Sequence, residues 1–247
     1  MQCPKCRAEQ SDHADICTAC GLVFAKYYKH HPPSGEAPSP PARRGVRRRP
    51  PGRVAELLFG APPAGGAPVL ALRVLLWCVL LVWGLRLMAA PVSSNAAGES
   101  LLHLVNLPFH EAGHVIFAPL GDFIGSLGGT LGQLLMPLIC LLVLLLRTRD
   151  PFGASVCLWW FGENFLDIAP YVADARAGVL PLLGGNTGQT APYGFHDWEY
   201  LLTETGLLHL DRALAQASHL LGALLMLAAL VWAALLLLRQ WRALEHG

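Results

Sequence analysis

Long apolar runs with short polar breaks occupy the chain from about residue 67 to its end, and the first quarter lacks them. Val69 to Ala90 is apolar over roughly the 20 residues that a helix needs to cross hydrocarbon. Arg73 and Arg86 sit near its two ends, where long side chains reach the interface. After a polar break from Pro91 to Ser100 comes Leu101 to Leu120, an apolar stretch that carries His103, Asn106, His110, Glu111 and His114. Phe123 to Leu146 is almost wholly apolar, and Phe152 to Val172 is apolar apart from Glu163, Asn164 and Asp167. A polar stretch from Asp174 to Asp211 precedes the last run, Leu214 to Leu238, which Arg239 and Arg242 close. The pattern predicts an all-α, multi-pass membrane domain over residues 67–247. It has four spans if the His110 stretch is re-entrant and five if that stretch crosses.

Composition agrees. Of 247 residues, 53% are hydrophobic and only 14% charged, where soluble domains carry about 25% charged residues. The net charge of +1 says little, but its distribution says more: Arg43, Arg44, Arg47, Arg48, Arg49 and Arg53 crowd together ahead of the first span. That cluster predicts a cytoplasmic N-terminus and a chain integral to the cell (inner) membrane, in contact with its lipids. The first twenty residues hold charges and cysteines and no apolar core, so the first span is expected to serve as an uncleaved insertion signal. Residues 31–66, rich in Pro, Gly, Ala and Arg, read as a disordered linker.

Cysteines divide into two groups. Cys78, Cys140 and Cys157 lie singly in apolar runs, where a thiol acts as a small hydrophobe. Cys3, Cys6, Cys17 and Cys20 form C-x2-C-x10-C-x2-C, the spacing of paired knuckles that place four thiolates in a tetrahedron around structural zinc. The array resembles a short zinc ribbon over residues 1–30, with Gly21 permitting the tight turn after the last cysteine. So small a module has almost no core and would owe its fold to the ion. A ribbon binds protein or nucleic acid, or serves folding or regulation alone. Here protein is favoured and nucleic acid disfavoured, because topology and lipid attraction account for the adjacent arginines.

The chemistry-bearing segment is His110-Glu111-Ala112-Gly113-His114. Two histidines four residues apart share one face of a helix and can hold one zinc ion. Glu111 is then placed as general base toward water activated by the ion. Ionisable residues at that depth are costly without partners and mark a functional site by default. A third ligand belongs on another helix, where Glu163 and Asp167, four apart, both qualify and Asn164 would orient ligand or substrate. Gly121, Gly125 and Gly129, with Gly128 and Gly132, form a face for close helix packing. His103 reads as a satisfied polar residue, and His196-Asp197-Trp198 as a turn capping a helix from Tyr200 to Leu207, with a metal contact or an active-site lid as the lesser alternative.

HEAGH in an apolar helix, a Gly-rich apolar helix, and a third helix with Asn164, Asp167 and Pro170 resemble the site-2 protease family of intramembrane metalloproteases, over about residues 101–172. The resemblance implies zinc held by His110, His114 and Asp167, with Glu111 as base, acting on peptide bonds of membrane-protein substrates. Where the family usually reads Asn-x-x-Pro-x-x-Pro-Leu-Asp-Gly, this chain reads Asn164-Phe165-Leu166-Asp167-Ile168-Ala169-Pro170. Glu163 as ligand would instead resemble the Glu-x-x-x-Asp arrangement of gluzincins, with Asp167 supporting it. The expectation is an endopeptidase with one catalytic and one structural zinc ion. The rival readings are a non-catalytic metal-binding scaffold or sensor, and an ion transporter.

Overall fold

A computed structural model describes residues 1–31, 52–60 and 66–246. The chain divides into two compact units, Met1–Pro50 and Pro51–Gly247. Most of the expected linker, and Arg43, Arg44, Arg47, Arg48 and Arg49 with it, lies outside the described residues.

The N-terminal unit repeats one knuckle at an offset of fourteen residues. In the first, the Cys3 N–H donates to Ala8 O and the Arg7 N–H to Cys3 O; in the second, the Cys17 N–H donates to Leu22 O and the Gly21 N–H to Cys17 O. Isolated bridges Gln2–Glu9 and Ile16–Val23 close both turns. The fifth residue of each knuckle has positive φ, 61° at Arg7 and 73° at Gly21, a conformation easy only for glycine. Helix α1, Phe24–His30, follows, and Phe24 packs on the buried Cys3 and Cys17.

The second unit is helical: α2 (Arg53–Phe59), α3 (Gly66–Ala89), α4 (Leu101–Phe117), α5 (Asp122–Leu142, continued by a π turn to Arg147), α6 (Pro151–Ala173), α7 (Asp197–Glu204) and α8 (Asp211–Glu245). Helix α2 was not expected, since it falls in the stretch read as linker. It is held where the Trp232 indole N–H and the Arg239 guanidinium donate to the Leu58 and Phe59 carbonyls. Three helices are long and apolar enough to cross a membrane: Gly66–Ala89, Asp122–Arg147 and Leu208–Glu245. Their outer faces carry exposed Leu72, Leu75, Val82, Ile139, Leu220 and Val231, side chains suited to lipid.

Helix α6 is the central element. None of its residues is exposed, and it packs against α8 and α5. Surrounding helices therefore shield Glu163, Asn164 and Asp167 from lipid. Pro151 starts α6 at a position where no amide donor is required. Pro170 lies in its last turn, and the helix runs on to Ala173. Gly162 and Gly222 set the α6–α8 crossing, since a methyl at either would press on the other's carbonyl oxygen.

Helices α4 and α5 form a hairpin. Gly121, at φ 98°, starts α5 straight after the turn Ala118–Leu120. A Cβ at Gly113 would land on the Gly128 carbonyl, and one at Gly132 on the Phe109 carbonyl. The expected glycine face thus brings two backbones into contact.

Candidate metal centres

Four thiols converge in the first unit. All four Sγ atoms lie within 4.8 Å of one another, with Cys3–Cys20 at 3.7 Å and Cys6–Cys17 at 3.6 Å. These are not disulfide distances, about 2.05 Å. A tetrahedron with metal–sulfur bonds of ~2.3 Å has edges of ~3.8 Å, so the cluster is pre-shaped for one ion. Burial raises the Cys3 thiol, but the Cys6 and Lys5 amides outweigh it and bring the group down to about 6. The Leu22 amide lowers Cys20, yet burial and the other three thiols push it up to about 12. Four thiolates cannot coexist there without a cation.

The second convergence lies where α4, α5, α6 and α7 meet. His110, His114 and Asp197 offer ligand atoms within 4.8 Å of one another. Asp197 Oδ2 is 3.1 Å from His110 Nε2 and 3.3 Å from His114 Nε2. The tautomers follow from the partners. His114 Nδ1 faces the Gly125 carbonyl at 2.8 Å, which can only accept, so Nδ1 carries the proton. For His110 the argument runs through three residues. The Trp160 carbonyl accepts from Asn164 Nδ2, so Asn164 Oδ1 accepts from Gln133 Nε2, and Gln133 Oε1 accepts from His110 Nδ1 at 2.8 Å. A backbone carbonyl thereby orients the whole chain of amides. Both imidazoles turn Nε2 toward a carboxylate. The two rings lie 4.8 Å apart with Asp197 between their Nε2 atoms, so one cation could be held by both nitrogens and the carboxylate. Ring nitrogens tied back to carbonyl acceptors are the usual outer shell of a metal site.

Asp197 is held as firmly. Ser126 Oγ donates to its Oδ1 at 3.1 Å, Tyr171 Oη donates to its Oδ2 at 3.3 Å, and its own N–H donates to Tyr171 Oη at 3.0 Å. His196 caps α7, its Nδ1 accepting from the Glu199 N–H; burial lowers this imidazole's pKa and favours its neutral form. Gly129 borders the site on α5: a Cβ there would stand 2.5 Å from Nε2 of both histidines. The glycine face therefore does more than pack helices.

The acids expected to complete the site stand elsewhere. Asp167 Oδ1 lies 2.9 Å from His103 Nδ1, and its Oδ2 accepts from Asn106 at 3.0 Å. Glu163, fully buried, accepts from the same Asn106 nitrogen at 3.1 Å. Neither contributes an atom to the group of His110 and His114, whose third member is Asp197. His103 is indeed satisfied by a partner. His196-Asp197 caps a helix as expected, although α7 starts at Asp197 rather than Tyr200. The signal in the sequence was an acid beside a histidine, for which capping outweighed a metal contact because both residues lie in a polar stretch between helices.

Glu111 is half-buried and makes no hydrogen bond among the described residues. With the triad it lines a cavity of about 1170 Å³, bounded by α4, α5, α6 and the segment 180–200. Drug-sized sites usually span about 300–1,000 Å³, so this one has room for a length of polypeptide. Two imidazoles, a carboxylate and a free glutamate at the wall of a cavity are the parts of metal-assisted hydrolysis. Comparison with protein families, curated proteins and solved structures gives no match for this chain.

Proposed function

We propose that this chain is a zinc-dependent intramembrane endopeptidase, resembling the site-2 proteases in its HEAGH helix and differing in its third ligand. The convergence of His110 Nε2, His114 Nε2 and Asp197 Oδ2 beside an unengaged Glu111 carries the reading. A nitrogen–nitrogen–oxygen donor set suits zinc, which keeps a fourth position open in catalytic sites. Bound there, the ion would act as Lewis acid toward water and the scissile carbonyl. Glu111 takes the proton from water and delivers it to the leaving amine. Gln133 and Gly125 hold the imidazoles in the ligating tautomer, and Ser126 and Tyr171 fix the carboxylate. The substrate is a membrane protein that presents an unwound segment to the cavity. The Cys3, Cys6, Cys17, Cys20 module is a zinc ribbon with a structural ion, and its partner is a protein.

The membrane unit is read as four spans, α3, α5, α6 and α8, with α4 re-entrant. Arg73 of α3 bonds both Asp150, between α5 and α6, and Gln240, near the end of α8, so these three points share one end of the unit. Arg147, Arg149, Arg239 and Arg242 gather toward that end, which the positive-inside tendency makes cytoplasmic. The contacts of α4 fall on Gly125 to Gln133 of α5 and Trp160 to Asp167 of α6, away from that end. The cavity and the segment 174–210 then face away from the cytoplasm.

The test is cleavage of membrane-protein substrates by the purified full chain. Glu111→Gln should abolish cleavage while both zinc ions stay bound. Unchanged cleavage by that variant would overturn the proposal, and zinc retention without cleavage by the wild type would leave the sensor reading.

A further inference from the structure

A second polar cluster lies in the interior of the membrane unit and takes no part in the chemistry above. We propose that it is a proton-binding site: Glu163 carries a proton at neutral pH, in a setting formed by Asp167, Asn106 and Trp160.

The orientation of Asn106 is fixed. The Trp160 indole N–H can only donate, and it donates to Asn106 Oδ1 at 2.8 Å, which leaves Asn106 Nδ2 facing the acids. That nitrogen has two hydrogens and gives one to Glu163 Oε2 at 3.1 Å and one to Asp167 Oδ2 at 3.0 Å. Asp167 has a further partner in His103 Nδ1 at 2.9 Å. Glu163 has none: it is 0% exposed, and its Oε1 meets no hydrogen-bond partner among the described residues.

Charge balance decides between the two acids. The titratable groups near Glu163 are Asp167 on its own helix and, through Asp167, His103 on α4. On α8, His219 is turned to the Met88 carbonyl. The arginines of the unit that pair with acids do so at Asp150 and Asp211. Among the described residues no cation therefore stands beside Glu163, and its one charged neighbour would be a carboxylate. A second buried charge next to the first, with one neutral donor for support, is the costliest state available. A proton on Glu163 removes it, and His103 with Asp167 forms a pair of its own. His103 and Asp167 line the cavity and Glu163 does not, so the proton sits one layer behind the wall that meets water. Its release would set two carboxylates against one amide and loosen α4, with His110 and His114, from α6.

Infrared difference spectroscopy on the purified full chain at neutral pH tests this without reference to cleavage. The wild type should show the carbonyl band of a protonated carboxyl group, shifted in D2O. The band should vanish in Glu163→Gln and persist in Glu111→Gln. Should Glu163→Gln fail to fold, carbonyl-13C labelling decides: the band should move with labelled glutamate and stay with labelled aspartate. Absence of the band in the wild type, its survival in Glu163→Gln, or its movement with labelled aspartate would each overturn the assignment. Zinc content and cleavage are read separately, so the endopeptidase reading stands or falls by itself.

Discussion

His110 Nε2 and Asp197 Oδ2 stand 3.1 Å apart across 87 positions of sequence. One comes from a helix inside the bundle and the other from the first residue of a short helix outside it. Only the path of the chain through α5, α6 and the segment 174–196 brings them together. The ion they would share with His114 therefore ties that outer segment to the bundle.

Gly129→Ala tests the space reserved for the ion. The added methyl would meet both Nε2 atoms at 2.5 Å, closer than real Cβ contacts occur. The helices should still pair, because the α4–α5 contact rests on Gly113, Gly128 and Gly132. The expected outcome is a folded protein that no longer holds stoichiometric zinc in the membrane unit, read by metal analysis beside its melting curve.

Gln133→Leu removes the acceptor that fixes His110. Loss of such an outer partner typically costs about 10- to 100-fold in metal affinity, and a competition titration with a zinc indicator should show a loss of that size. Replacement by Glu keeps an acceptor and should preserve binding better than Leu.

How much of this was legible in the sequence depends on the range of each interaction. The helices follow from local apolar patterning, and HEAGH declares its own geometry because both histidines lie on one turn-spaced face. Asp197 has no such local signature: it reads as an N-cap residue, and it is one. Asp167 and Glu163 looked better because an acid inside an apolar helix demands a partner. Asn106 and His103 meet that demand. Helix α2 was missed because its seven residues sit in a Pro- and Arg-rich stretch, and tertiary contacts with Trp232 and Arg239 hold it.

Removal of an ion held by the four thiolates should affect the first unit alone. A strong chelator, or Cys3→Ser with Cys17→Ser, is expected to unfold residues 1–30, because the buried side chains of this unit are few, Cys3, Cys17 and Phe24. Backbone amide exchange should rise throughout that module and stay unchanged in α5, α6 and α8.

The four-span reading predicts opposite labelling of two introduced cysteines in a chain whose native exposed thiols are replaced. Thr190→Cys, in the segment over the cavity, should react with an impermeant reagent in intact cells. Arg149→Cys, in the α5–α6 turn, should react only after permeabilisation. The reverse pattern would place the cavity on the cytoplasmic side.

The most direct measurement is the zinc content of the full-length membrane protein with Cys3, Cys6, Cys17 and Cys20 replaced by serine. One equivalent should remain, persist in Asp167→Asn and disappear in Asp197→Ala. Retention in Asp197→Ala with loss in Asp167→Asn, or no bound zinc at all, would contradict the account.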